Sequence, residues 1–223
     1  MKLRTLVVGA FAYTLSLTSM QAATIVLSED FETPSVPTVS PFYTAYIAPT
    51  TLNGWTVGGH DVAIVSDSFG PTPAQSGHQW LDLMGLDVGG GNITQAIATN
   101  AGQQYNVSFW VGNITSLPGT TSTVDFKVDG NLVLSATNST YPSPILSWQQ
   151  FTTSFIATGS STVVGFFNGD VPPDVNSGLD NIVITTDVAN TPLPAALPLF
   201  AGGLGALGWL GWRRKRKLAA VAT

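Results

Sequence analysis

Cysteine is absent from this chain of 223 residues, which excludes a disulfide framework and a thiol nucleophile. Cations are nearly absent too. Of eight Lys and Arg residues, Lys2 and Arg4 open the chain, five form the run Arg213 to Lys217, and only Lys127 lies between. All thirteen acidic residues fall between Glu29 and Asp187, so the middle of the chain carries a formal charge of about −12. A domain this acidic has nothing to neutralise a phosphate backbone, which excludes nucleic acid as a partner. It is also repelled by anionic lipid, except at the basic tail. Histidine is limited to His60 and His78. His60 and Asp61 are neighbours, so on a strand they would face opposite ways and form no relay. Ser76 and His78, two apart, are a common turn pairing. Gly89-Gly90-Gly91 lacks the following helix and lysine of a phosphate-binding loop.

A helical period is missing between Thr24 and Asn190; alternation of period two takes its place. In Tyr105-Asn106-Val107-Ser108-Phe109-Trp110-Val111, Tyr105, Val107, Phe109 and Val111 share one face, leaving Asn106, Ser108 and Trp110 on the other. Val124 to Val128 repeats the pattern, Asp129-Gly130 makes a hairpin turn, and Asn131 to Leu134 returns. Further strands are predicted at Thr24–Leu27, Gly54–Val57, Val62–Val65, Gln79–Leu83, Asn92–Ile97, Gln149–Ile156, Thr162–Phe167 and Asn181–Thr185. Short strands at this spacing imply an all-β fold, a two-sheet sandwich or jelly roll. The Pro-, Thr- and Ser-rich stretch from Thr33 to Thr51 is predicted to be a loop. Roughly 165 residues are ample for one domain with a packed core.

The two ends read differently. Lys2 and Arg4, the apolar run Leu6 to Leu17 and the small residues up to Ala23 have the order of a secretory signal peptide, cut after Ala22 or Ala23. Near the C-terminus Pro192-Leu193-Pro194 is followed by an apolar segment to Trp212 and then Arg213-Arg214-Lys215-Arg216-Lys217. An apolar helix closed by cations is a stop-transfer signal with the cations on the cytoplasmic side. Pro194 and Pro198 shorten that helix, which favours a transient span over a permanent one. The expected organisation is signal peptide 1–23, β-sandwich 24–188, sorting signal 189–217 and tail 218–223.

The three-part tail resembles the PEP-CTERM sorting signal, with Pro192-Leu193-Pro194 in place of the eponymous tripeptide. That resemblance implies an exosortase-type membrane protease as partner, transient residence in the inner membrane, and release to the cell surface or an extracellular matrix. A second resemblance covers most of the middle. It rests on the order of Glu29-Asp30-Phe31-Glu32, Gly54-Trp55-Thr56-Val57, Ser76-Gly77-His78-Gln79-Trp80-Leu81-Asp82, Gly91-Asn92-Ile93-Thr94-Gln95, Gly102 to Phe109 and Gly178-Leu179-Asp180-Asn181-Ile182. These segments resemble galactose-binding-like β-sandwiches, the fold of many carbohydrate-binding modules, and the exported "choice-of-anchor" proteins in particular. The resemblance implies a structural calcium tying the first strand to the last, with Glu32 and Asp180 as ligands and Glu29 behind them. Such an ion is expected to raise the melting temperature.

Sugar sites pair an aromatic face with amide and carboxylate groups. Trp55 and Trp80 are flanked by apolar alternation and are assigned to the core. Trp110, outward beside Asn106, is a candidate platform; Trp148, beside Gln149 and Gln150, is another; Tyr43, in the predicted loop, is placed at the rim. No catalytic residue is assigned. The expected function is that of a non-catalytic exported protein that binds extracellular polysaccharide. The alternative is an exported polysaccharide hydrolase using two of the thirteen carboxylates.

Overall fold

A computed structural model describes residues 23–86, 89–114, 121–140, 145–170 and 178–187. These residues form thirteen strands: β1 (Ala23–Glu29), β2 (Tyr43–Ile47), β3 (Thr50–Leu52), β4 (Trp55–Gly59), β5 (Asp61–Ser66), β6 (Gln79–Asp82), β7 (Gly91–Ala98), β8 (Gln104–Asn113), β9 (Ser122–Val128), β10 (Asn131–Asn138), β11 (Ser147–Ile156), β12 (Ser161–Asn168) and β13 (Gly178–Asp187). The signal peptide, the sorting motif from Pro192 to Pro194 and the basic cluster from Arg213 to Lys217 lie outside the described residues.

The strands make two antiparallel sheets. One has seven strands in the order β11-β8-β13-β6-β5-β2, with β1 also paired to β13. The other has six, in the order β10-β9-β12-β7-β4-β3. Residues Ala22 to Asp187 form one compact unit, and pairing of Ala23 with Asp187 joins its first strand to its last. The core between the sheets is therefore completed within that unit.

Alternation fills this core as the sequence predicts. Tyr105, Val107, Phe109 and Val111 of β8 are buried against Val124 and Phe126 of β9 and Val164 and Phe166 of β12. Phe166 is the hub, with ring centroids 5.0 Å from Phe109, 5.1 Å from Phe126 and 5.9 Å from Trp55. Rings at these separations, tilted or edge-on, add to the burial energy of each side chain.

A second, smaller core lies on the outer face of the seven-stranded sheet. It holds Ala63, Val65, Trp80, Ile114 and Leu146, with Tyr43, Ala74 and Trp148 packed against it. β5 is consequently covered on both faces, and all six of its residues are buried.

Two expectations are corrected. The stretch Thr33–Thr51 is not a single loop, because β2 and the start of β3 lie in it. The prolines that suggested a loop, Pro41 and Pro49, bracket a proline-free run that pairs with β5 at the sheet edge. Edge strands tolerate flanking prolines because one side needs no donors. Second, His60 sits in a bend before β5, and its Nδ1 lies 3.3 Å from Asp61 Oδ1. Strand alternation does not separate the two side chains there.

Candidate functional site

A groove of about 420 Å³ opens on the outer face of the seven-stranded sheet. Asn106 and Ser108 of β8, Thr152 and Ser154 of β11, and Val183 and Thr185 of β13 line it, together with Val107 and Thr153. Its floor follows directly from register. Ser154, Asn106 and Thr185 stand side by side across three strands, and Thr152, Ser108 and Val183 form the next row. Pairing puts such neighbours about 5 Å apart. The face presents hydroxyls, an amide and a short apolar stripe, and no ionisable side chain lines it. Hydroxyls and amides both donate and accept, which matches the dense hydroxyl pattern of a carbohydrate. Asn106 Oδ1 accepts a hydrogen bond from Gln104 Nε2 at 3.1 Å, which orients the amide.

Trp110 stands one row beyond Ser108, opposite Gln150 on β11 and Asp180 on β13. It is half-buried on the same face as the groove. The structure thus brings Asn106 and Trp110 onto one face, places Trp148 in the next row of that face, opposite Gly112, and leaves Tyr43 apart from them. Trp148 lies over Gly112, where a Cβ would come within 2.9 Å of its ring. Its Nε1 donates to Pro73 O at 2.8 Å and its ring meets Trp80 edge-on at 6.0 Å. Trp148 thus packs, half-buried, on the small cluster that Ala74 of the 71–76 segment also joins. Tyr43 is on β2, at the opposite edge of the sheet from β11, edge-on to Phe69 at 6.3 Å.

The three carboxylates assigned to calcium hold backbone. Asp180 Oδ2 accepts the amides of Gln75 and Ser76 at 2.9 and 3.0 Å, and Oδ1 accepts that of Asn181 at 2.7 Å. Glu32 Oε1 accepts the amides of His78 and Gln79, both at 2.7 Å. Gly77 lies between these points with φ +62°, and a Cβ there would collide with the Glu32 carboxyl. Glu29 accepts from Phe31 N at 2.9 Å, Asn53 Nδ2 at 2.8 Å and Trp55 Nε1 at 3.2 Å. Among the described residues no group of three or more His, Asp or Glu is placed to share a metal ion.

Burial acts on these groups. It pushes the Asp180 carboxyl up to about 7 against the pull of its three amide donors, and Glu32 adds to the rise. Burial likewise raises Asp82 to about 7, over the opposing amides of Met84 and Gly85, with Asp61 adding to it. The Glu29 carboxyl is also raised, chiefly by burial. Asp61 and Asp82 are the nearest thing to a paired acid and base. Yet Asp61 is buried and accepts Leu86 N at 2.9 Å, and Asp82 accepts Met84 N at 2.8 Å. They clip the turn after β6. Exposed His78 is bound to Asp67 at 2.8 Å, and that bond raises the imidazole pKa.

No protein-family model matches the sequence, and no curated protein matches it. Solved structures are similar to it at low identity. The CBM22-1 xylan-binding domain of Paenibacillus barcinonensis Xyn10C is 15% identical over 77% of this chain and 99% of that one, with a TM-score of 0.43. A family 35 carbohydrate-binding module from Clostridium thermocellum is 13% identical over 64% and 96%, with a TM-score of 0.42. An exo-β-1,3-galactanase from Phanerochaete chrysosporium is 18% identical over 63% of this chain, with a TM-score of 0.41, and the chain spans 28% of its length.

Sequence reading missed the other two walls of the groove, Thr152 and Ser154 on one side and Val183 and Thr185 on the other. Only the pairing of β11 and β13 with β8 places them there. It also missed Gln79. That buried side chain accepts Val36 N at 2.6 Å and donates to Phe31 O at 2.7 Å, pinning the segment that carries Glu32.

Proposed function

We propose that this chain is an exported, non-catalytic protein whose β-sandwich binds polysaccharide in the groove on β8, β11 and β13. The observation that carries the reading is the groove's lining: hydroxyls and one amide, no ionisable group, and a tryptophan next in line on the same face. A site without an acid or base holds a sugar chain and has no group to cleave it. Ser108 is at the centre of the floor, so Ser108→Trp is expected to fill the groove and weaken polysaccharide binding by about tenfold or more. Trp110→Ala, which removes a stacking face, is expected to weaken it by about three- to tenfold. Affinity electrophoresis in gels cast with polysaccharide measures both. Unchanged mobility shifts in both variants would move the binding site elsewhere, and new reducing ends would make the protein a hydrolase.

The tail supports a route for this domain. Pro192-Leu193-Pro194, the apolar segment and Arg213 to Lys217 suit an exosortase-type protease acting at the inner membrane, followed by release to the surface or matrix. Intact-mass measurement of the released protein is expected to show loss of the residues beyond about Pro194. Recovery of chains ending at Thr223 would contradict sorting by cleavage.

We infer that Glu32 and Asp180 hold the 75–79 loop by its amides in place of a calcium ion. An oxygen that already accepts two N–H groups faces hydrogens where a cation would approach. Millimolar calcium is therefore expected to change the melting temperature no more than an equal ionic strength of sodium chloride does. A calcium-specific rise, lost in Glu32→Gln, would restore the metal reading.

A further inference from the structure

We infer that the groove selects a neutral polysaccharide and turns away polyanionic chains such as polyuronates and sulfated glycans. This rests on the groove being the binding site. The first ground is the lining itself, in which Asn106, Ser108, Thr152, Ser154, Val183 and Thr185 offer no cation to a carboxylate or sulfate. The second is the scarcity of cations within the Glu29–Asp187 stretch. Lys127 is the one Lys or Arg between Arg4 and Arg213, and it lies on β9, in the opposite sheet. Its Nζ sits 4.2 Å from the centroid of the Phe167 ring, held there by a cation–π contact. Both histidines face aspartates, His60 at 3.3 Å from Asp61 and His78 at 2.8 Å from Asp67.

The third ground is the field of the whole domain. Thirteen acids against one Lys between Glu29 and Asp187 give the domain a net negative charge. A neutral chain crosses this field without cost and exchanges its water for the hydroxyls of the floor. A polyanion must approach against like charge and lose hydration with no partner to replace it. Selection here works mainly by rejecting the wrong ligand.

The Ala22–Asp187 unit, which completes its own core and lacks the basic run Arg213–Lys217, is tested by affinity electrophoresis against xylan, galactan and β-glucan as neutral probes, and against polygalacturonate, alginate and heparin as anionic ones. At least one neutral polysaccharide is expected to retard the protein, with an affinity that changes by no more than about twofold over a tenfold range of salt. The anionic probes are expected to bind at least about tenfold more weakly, the gap narrowing as salt screens the repulsion. Ser108→Trp is expected to abolish the neutral retardation, and a melting curve close to that of the unaltered chain shows that it remains folded. Retardation by an anionic probe that is stronger than by any neutral one, and lost in Ser108→Trp, would overturn the selectivity while leaving the groove as the site. Retardation by no probe, or retardation that survives Ser108→Trp, would overturn both.

Discussion

Trp55→Ala is expected to lower the melting temperature of the Ala22–Asp187 unit by roughly 10–20 °C. Trp55 is wholly buried on β4, its ring 5.9 Å from that of Phe166 at the hub of the core. Truncating a buried tryptophan costs about 3–5 kcal/mol through lost transfer energy and the cavity left behind. A second loss adds to the first. Trp55 Nε1 donates to Glu29 Oε2 at 3.2 Å, and Glu29 is itself buried. Without the indole, that carboxylate keeps Asn53 and Phe31 but lacks one donor, a deficit of about 1 kcal/mol or more. Each kcal/mol shifts a domain of this size by about 2–4 °C. Thermal unfolding followed by circular dichroism reads the effect. A melting point within about 3 °C of the parent would mean that the core does not depend on this residue, contrary to the packing described.

Acidification is expected to stabilise the same unit. Asp82 and Asp180 have carboxyls raised to about 7, against a usual value near 4 in the unfolded chain. Between those two pH values the folded state keeps protons that the unfolded state has released. Stability therefore falls as pH rises from about 4 to about 7, and the contribution is complete below that window. Glu29 and His78 are also raised, so their contributions run in the same direction. Burial is the first cause for Asp82 and Asp180, and their charged forms are what the fold resists. About 2–4 kcal/mol for each of the two aspartates, at about 2–4 °C per kcal/mol, corresponds to a melting temperature lower by roughly 10–30 °C at pH 8 than at pH 4.5. Asp82→Asn is expected to flatten part of that slope, because the amide accepts from Met84 N without carrying charge. A melting temperature that climbs steadily from pH 4.5 to pH 8 would contradict the raised carboxyls.

Much of this fold is legible in short-range pattern. The alternation from Tyr105 to Val111 specifies both faces of β8, so the buried tetrad and the outward Asn106, Ser108 and Trp110 come from the same seven residues. Asp129-Gly130, with positive φ at both positions, closes the β9–β10 hairpin as its turn chemistry requires. What fails is anything that depends on which strands become neighbours. Tyr43 looked like a loop residue because Pro41 and Pro49 dominate its surroundings, and its pairing with Val65 becomes visible only once β2 is laid on β5. Trp148 has polar neighbours in sequence, but its indole packs edge-on to Trp80 and bonds to Pro73, 75 residues away. The resemblance that implies Glu32 and Asp180 as calcium ligands gives no sign of the amides they accept from the 75–79 loop, 46 and 104 residues distant for His78 and Ser76. The groove combines both situations. One strand's contribution is readable locally, and the remainder needs the order β11-β8-β13.

The central claim is that the outer face of that strand trio holds a sugar chain. Titration of the ¹⁵N-labelled Ala22–Asp187 unit with a neutral oligosaccharide, followed by amide chemical shifts, tests it most directly. The account predicts that the shifts cluster on Asn106, Ser108, Trp110, Thr152, Ser154 and Thr185, with the six-stranded sheet silent. Shifts confined to the 75–79 loop or to the face bearing Lys127 and Phe167 would contradict it.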